Sequence, residues 1–270
     1  MFFKNFTILF SILIISALLL NGCDITASKS GDKYPDIIET LVPICSASDG
    51  IVDIDVYSSG PIATSYNRLY FDILENGTEN RVAESGLTIT PVMDMGHHVH
   101  AAPVWQPNPD RDPDSQLFEA AIIPTMPSGD MGSWSLQWDA GNGNAGEPCQ
   151  MEVMQASDVK VFTAENDERY ILTWIHPDSP KTGINDLTLS LHRRESMMSF
   201  PEVQDLQLEI RPWMGSMDHG SEGSENPEPS GDGYFEGRVV FNMSGDWQVY
   251  VTLIEDGEEI YEVEFELQVE

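Results

Sequence analysis

Short stretches of alternating apolar and polar residues recur along most of the chain, separated by turn-forming Gly, Asn, Asp and Pro. The clearest of them are IVDIDVY, LTITPV, WSLQW, LQLEI and YEVEFELQV. A period of two places alternate side chains on opposite faces of a strand, whereas an amphipathic helix has an apolar period near 3.6. No stretch has a convincing helical period. The pattern therefore predicts an all-β protein made of short antiparallel strands.

The motifs of the first half return in the same order in the second half. The matching pairs are NRL (67–69) with NDL (185–187), ITPVMDMGHH (89–98) with IRPWMGSMDH (210–219), and FEAAIIPTM (118–126) with FEGRVVFNM (235–243). A long-period repeat of this kind indicates a duplicated structural unit. It predicts two tandem Ig-like antiparallel β-sandwich domains, at 46–157 and 158–270, with a boundary near 156–166.

The first residues have the pattern of a bacterial export signal. Lys4 precedes an apolar run from Phe6 to Leu20, which is short for a transmembrane helix and typical of a signal-peptide core. The following Leu20-Asn21-Gly22-Cys23 resembles a bacterial lipobox. This resemblance implies that residues 1–22 are a cleaved lipoprotein signal peptide and that Cys23 is acylated. We expect residues 23–45 to carry the lipid and a tether, with the protein held on the periplasmic or surface face of an envelope membrane.

The charge of the chain excludes one class of partner. It has 45 acidic and 13 basic residues, a formal charge of −32. Such a charge repels nucleic acid and attracts cations. With 41% hydrophobic residues and six Trp, the chain is nevertheless expected to fold.

Two cysteines remain once Cys23 is assigned to the lipid. In an oxidising compartment a disulfide between Cys45 and Cys149 is the favoured interpretation. The alternative is that Cys149 is a thiolate ligand near Met93.

Methionine and histidine are concentrated at equivalent points of the two repeats. In the matched segments, Met93 aligns with Met214 and His98 with His219. Thioether and imidazole groups are the ligands that select copper. The candidate metal ligands are Met93, Met95, His97, His98, Met214, Met217 and His219, with Cu(I) favoured. A methionine at the end of an inward-facing row is also a common core residue.

The second repeat resembles a known family of bacterial envelope domains. The stretches PWMGSMDHGS and GDGYFEGRVVFNMSGDWQV, preceded by GINDLTLSLHRRESMMSFP, are similar to FixH/YtkA-like domains. The resemblance covers 158–270 well and 46–156 more weakly. It implies an Ig-like fold and a role in copper handling or oxidase-linked metal homeostasis. We expect the partner to be a copper-dependent membrane protein or another copper carrier.

The position of two further methionines depends on strand order. If the strands simply alternate up and down, Met126 and Met243 lie at the opposite end of each sandwich from Met93 and Met214. We therefore expect them not to join the same site.

Two other functions stay open at this point. The chain could be a structural or interaction module of the envelope that binds no metal, or a zinc site could use His97, His98 and His100. Motifs of a catalytic nucleophile, a metalloprotease or a phosphate-binding loop are absent from the sequence, so we do not expect an enzyme.

Overall fold

The computed structural model describes residues 37–270, and in this range the chain is almost entirely β-structure. A short 3-10 helix, Ile37–Thr40, precedes eighteen strands, which form four sheets. Neighbouring strands within each sheet are antiparallel. The predicted fold class is confirmed.

The first sandwich contains nine strands in two sheets. The strands are β1 Val42–Ser48, β2 Val52–Ser58, β3 Asn67–Glu75, β4 Thr88–Asp94, β5 Val99–Ala101, β6 Val104–Trp105, β7 Phe118–Ile122, β8 Ser133–Asp139 and β9 Cys149–Met151. One sheet has the order β1-β2-β3-β7-β6, and the other has the order β5-β4-β8-β9.

The second sandwich repeats this arrangement strand for strand. Its strands are β10 Val159–Thr163, β11 Arg169–His176, β12 Gly183–Arg193, β13 Gln207–Met214, β14 His219–Gly220, β15 Glu225–Gly231, β16 Tyr234–Phe241, β17 Gly245–Glu255 and β18 Glu258–Val269. The sheet orders are β10-β11-β12-β16-β15 and β14-β13-β17-β18. Each of β1–β9 therefore has a counterpart in β10–β18.

One repeated asparagine explains part of the sequence match between the halves. The side-chain oxygen of Asn67 accepts from the backbone N–H of Ala63, and its amide nitrogen donates to the carbonyl oxygen of the same residue. Asn185 makes the same pair of bonds with Lys181. In both cases the side chain closes the turn that leads into β3 or β12, which accounts for the NRL and NDL motifs.

The sheets keep the two halves of the chain apart. Strands up to Met151 form the first pair of sheets, and strands from Val159 form the second pair. β1 begins at Val42, so the last four residues of the predicted tether belong to a strand. The predicted signal peptide, 1–22, and Cys23 lie outside the described residues. Among residues 37–270, no helix has the length and apolar character needed to cross a membrane.

Each sandwich has its own core, built by strand alternation. In β2, Val52, Ile54 and Val56 point inward, and the residues between them are only partly buried. Trp134 and Trp247 are among the largest buried side chains of the two cores. Trp134 lies near the start of β8 and Trp247 lies near the start of β17. These two strands begin at equivalent ends of their sandwiches, and the candidate ligands described below lie at the same ends.

A disulfide joins the two sheets of the first sandwich. Cys45 in β1 and Cys149 in β9 are linked, with their Cα atoms 5.8 Å apart. The bond links residues that are 104 positions apart in the sequence. It lowers the conformational entropy of the unfolded chain and so stabilises the folded domain. A disulfide sulfur is not a thiolate, so Cys149 is not available as the metal ligand that the alternative interpretation required.

An aromatic cluster connects the two sandwiches. Trp105 of β6 stacks on Tyr234 of β16 with ring centroids 4.9 Å apart, and it packs edge-on against His192 at 4.8 Å. The hydroxyl groups of Tyr66 and Tyr234 are hydrogen-bonded at 3.0 Å. Burial lowers the pKa of His192 to about 4. At this point the contacts cover the outer face of the sheet that contains β12. The core of the second sandwich covers its inner face, so β12 is buried on both faces.

Candidate metal site

The methionines that end β4 and β13 are enclosed by the cores of their sandwiches. Met93 is fully buried and Met214 is 3% exposed. The terminal methyl groups pack against glycines, so that a Cβ added at Gly132 or Gly245 would lie 3.1 Å from the methyl of Met93 or Met214. We call the end of each sandwich where β4 or β13 finishes its methionine end. This enclosure is typical of methionines that fill gaps in a core.

The next strand places a histidine beside each of these methionines. Met93 pairs with His100 across β4 and β5, and Met214 pairs with His219 across β13 and β14. In each histidine, Nδ1 lies 2.8 Å from the carbonyl oxygen of the following residue. A carbonyl oxygen can only accept, so Nδ1 carries the proton. Nε2 of the neutral ring then keeps a free lone pair, as in histidines that ligate metals.

A buried tryptophan holds each histidine ring in place. His100 packs edge-on against Trp134 with centroids 5.5 Å apart, and His219 packs edge-on against Trp247 at 5.9 Å. The indole N–H of Trp134 donates to the carbonyl oxygen of Met126 at 2.9 Å. The indole of Trp247 makes the equivalent bond to Met243 at 3.0 Å. The same arrangement of Met, His, Trp and a second Met is therefore built twice.

His100, and not His98, is the structural counterpart of His219. The sequence match aligned His98 with His219 because it kept the spacing after the methionine constant. In the structure, the loop of the first copy is two residues longer and closes with a bond from the Met95 N–H to the His98 carbonyl oxygen. Strand pairing, which sets the geometry, then places His100 opposite Met93.

The expected separation of Met126 and Met243 from the other methionines is wrong. The expectation assumed that β4 turns directly into β7. Instead, β5 leads away from the methionine end, the chain crosses to the other sheet as β6, and β7 runs back antiparallel to β6. β7 therefore ends near the methionine end, and Met126 follows it there. β16 and Met243 repeat this path.

A pocket of about 240 Å³ lies at the methionine end of the first sandwich, and the second sandwich forms its far wall. The first sandwich contributes Met95, His98, His100 and Met126 to its lining, and the second contributes Met197. The other lining residues are Thr125, Val161, Arg169, Ile171, Arg194 and Phe200. We call this the interdomain pocket.

The imidazole of His100 gives the interdomain pocket its strongest chemical signal. His100 is only 6% exposed, and its Nε2 is buried without a hydrogen-bond partner among the described residues. A buried polar atom without a partner costs free energy and calls for an explanation. A metal ion that accepts the Nε2 lone pair would supply one, and the neighbouring thioethers suit a soft ion.

The equivalent position in the second sandwich is open to solvent. His219 is partly buried, Met217 is 59% exposed and Met243 is 37% exposed. These side chains lie at the methionine end around Trp247, and no second domain covers them within the described residues. The two copies thus present one enclosed and one open version of the same arrangement.

The predicted zinc alternative finds no support in the arrangement of the histidines. No group of three His, Cys, Asp or Glu side chains with the geometry to hold a metal occurs among residues 37–270. His97 is exposed and is not among the residues lining the interdomain pocket, whereas His98 and His100 are. A metal ion bound at this place would therefore need thioether donors.

Three of the Met and His residues that line the pocket were not among the predicted copper ligands. The sequence indicates His100 only as a zinc ligand, it predicts Met126 at the opposite end of the sandwich, and Met197 belongs to the other sandwich. A usable signal for Met126 was present in the sequence. Met126 and Met243 match in the repeat, and each precedes a tryptophan by a few residues.

Comparison with protein families matches part of the second sandwich. Residues 164–252 match the family described as YtkA-like. The second sandwich is therefore similar to YtkA-like domains. The match includes Met214, Met217 and His219, and it confirms the resemblance to this family. The first sandwich lies outside the matched residues, and no curated protein matches the chain.

Several of the similar solved structures belong to bacterial surface proteins. The Escherichia coli adhesin FdeC is 14% identical, with 84% of this chain and 66% of that chain covered and a TM-score of 0.28. The Yersinia pseudotuberculosis adhesin InvE is 12% identical over 82% of this chain and 60% of that chain, with a TM-score of 0.29. Domains 5–6 of the S-layer protein SbsC are 10% identical over 85% and 97%, with a TM-score of 0.31. This chain spans about two thirds or less of the two adhesin chains, and likenesses at these TM-scores carry no functional argument.

Proposed function

We propose that this chain is a lipid-anchored protein of the bacterial envelope that binds Cu(I) at the methionine ends of its two sandwiches. In the first sandwich the ligands are His100, Met95 and Met126, with His98 beside them. In the second they are His219, Met217 and Met243. Met93 and Met214 support these sites by packing. Acylated Cys23 holds the protein on the membrane, where it exchanges copper with a membrane protein or another carrier.

One observation carries the proposal: His100 lines a pocket together with three methionines, and its buried Nε2 has no hydrogen-bond partner among the described residues. The bond from Nδ1 to the carbonyl of Ala101 fixes the tautomer that a metal needs. Soft thioethers together with imidazole favour Cu(I) over harder ions. The formal charge of −32 raises the local concentration of cations.

The occurrence of the same arrangement in both sandwiches supports a role beyond packing. A core methionine needs no histidine beside it, yet His100 and His219 each have the same tautomer-fixing bond and the same tryptophan neighbour. The chain is proposed as a binding protein and not as an enzyme.

The test is competition for Cu(I) between a chromogenic chelator and the purified chain in detergent. We expect two Cu(I) per wild-type chain, and at least a tenfold loss of affinity at one site in each of His100→Ala and His219→Ala, on the order expected for disrupted metal sites. His97→Ala is the matched control, because His97 is exposed and does not line the pocket. Histidine must be deprotonated to bind, so binding should weaken toward pH 5 while thioether ligation survives.

The competing interpretation is an envelope module that binds no metal. If the double variant His100→Ala/His219→Ala competes for Cu(I) as well as the wild type does, the histidines are packing residues and the copper proposal is wrong.

A further inference from the structure

The interdomain pocket is built by both sandwiches, and a backbone bond fixes their relation at this point. The N–H of Ala101 donates to the carbonyl oxygen of Met197 at 2.8 Å. Ala101 follows His100 and accepts the bond from its Nδ1. This hydrogen bond therefore joins the segment that carries Met197 to Ala101, the residue next to the candidate ligand His100.

The sulfur of Met197 already interacts with a positive group. A guanidinium nitrogen of Arg194 donates to the Sδ of Met197. Met197 lines the pocket, and at 38% exposure its flexible side chain has freedom to reorient. Its neighbour Met198 is 52% exposed and is not among the residues lining the pocket.

We propose that Met197 of the second sandwich is a thioether ligand of the Cu(I) site in the first sandwich. The inference rests on the proposed function and extends it. The ligands of this enclosed site are His100, Met95 and Met126 from the first sandwich, together with Met197 from the second. Binding of a metal ion therefore joins the two sandwiches. The second site, at His219, has no such partner and stays open.

Two arginines in the pocket wall determine which charge the site accepts. Arg169 and Arg194 both line the pocket, and neither forms a salt bridge with a carboxylate among the described residues, although the chain has 45 acidic residues. Burial and the nearby Arg169 lower the pKa of Arg194. Repulsion by these guanidinium groups scales with the charge of the bound ion. A divalent ion is therefore opposed twice as strongly as Cu(I) or Ag(I).

Methyl NMR of the whole chain, labelled with ¹³C at the methionine methyl groups and solubilised in detergent, tests the ligand directly. Ag(I) is the probe, since it resembles Cu(I) and is not oxidised in air. We expect the methyl signals of Met95, Met126 and Met197 to shift in one step of the titration, while that of Met198 stays in place. Single Met→Leu variants assign the signals.

A matched pair of variants measures the contribution to affinity. Met197→Leu should weaken Ag(I) binding at this site by about tenfold or more, on the scale of a disrupted metal site, and Met198→Leu should leave it unchanged. Arg194→Gln should let Zn(II) compete better for the site. Unchanged competition by Zn(II) would overturn the role of the arginines.

The outcomes separate this inference from the proposed function. If Met95 and Met126 shift while Met197 does not, the second sandwich contributes no ligand and the inference is wrong, whereas Cu(I) binding in the first sandwich stands. If none of the three signals shifts, the first sandwich has no such site, and this inference is wrong together with the part of the proposed function that concerns the first sandwich.

Discussion

At the scale of single residues, Met93 and His100 face each other across two strands and have different surroundings. Met93 is fully buried, and its methyl group packs near Gly132. His100 is nearly as buried, but one of its nitrogens has no partner. Burial satisfies a thioether, which has little need for hydrogen bonds, and leaves an imidazole unsatisfied. The methionine is therefore the core residue of the pair and the histidine is the candidate ligand.

Substitution of the buried methionines tests this division. Leucine has nearly the volume of methionine, so Met93→Leu and Met214→Leu should each cost less than about 1.5 kcal/mol of unfolding free energy. Cu(I) affinity should stay the same, whereas Met95→Leu should lower it. Urea unfolding and chelator competition measure the two effects.

A truncating variant is the control for burial. Met93→Ala should cost roughly 2–5 kcal/mol, because it leaves a cavity in the core. Loss of Cu(I) binding in the well-folded Met93→Leu variant would instead make Met93 a ligand and contradict the packing role.

At the scale of elements, the two sandwiches differ in the length of one edge strand, which is β6 in the first sandwich and β15 in the second. β15 is seven residues long and bulges opposite β16, whereas its counterpart β6 has two residues. A Cβ added at Gly237 would lie 2.7 Å from the carbonyl oxygen of Glu225 and 2.8 Å from the Cα of Pro227. The first sandwich has Ala120 at the matching position and a shorter edge strand. The glycine of the FEGRVV motif thus permits the close approach of a strand.

The variant Gly237→Ala should separate β15 from β16. The new methyl group would collide with backbone, which cannot move aside as a side chain can, and we expect a loss of about 1–3 kcal/mol of unfolding free energy. Thermal and urea unfolding of the variant measure this loss.

Gly60→Ala is the control, because no atom lies within 4 Å of the position that its Cβ would take. Equal stability of the two variants would mean that the bulge of β15 adapts and that Gly237 is not needed for packing.

At the scale of the whole molecule, the sandwiches are joined by aromatic contacts that bury a titratable group. His192 is 1% exposed, lies against Trp105 and has a pKa of about 4. Its pKa in the unfolded chain is near 6.5. Between these values the unfolded state binds the proton and the folded state does not. The stabilising effect of the neutral histidine is therefore complete above about pH 6.5 and is lost as the pH falls toward 4.

His192→Phe removes this titration and keeps an aromatic ring against Trp105. Wild type should lose up to about 3 kcal/mol more stability than the variant between pH 7 and pH 4, from the shift of the pKa. Urea unfolding of both proteins at a series of pH values measures this difference in stability. Both proteins have the same carboxylates, so the effect of carboxylate titration largely cancels when the two are compared. Parallel pH profiles for the two proteins would contradict the prediction, because they would mean that burial does not lower the pKa of His192.

The sequence alone determined the features that depend on local backbone geometry. Alternation of side chains follows from the two-residue period of a strand, so the strands and the inward-facing rows such as Val52, Ile54 and Val56 could be read directly. The repeat predicted that both sandwiches share one strand order, because equivalent motifs make equivalent turns, as Asn67 and Asn185 do. The concentration of Met and His at the ends of β4 and β13 also indicated where to look for a site.

Only the tertiary structure decided which of these residues meet. Hydrogen bonding between strands set His100, and not His98, opposite Met93, because a longer loop absorbs the extra residues. The crossover through β6 brought Met126 to the methionine end. Packing of one sandwich against the other added Met197 and buried His192. These contacts join residues far apart in sequence, and they depend on strand order and on the fit of whole surfaces, which local periodicity does not encode.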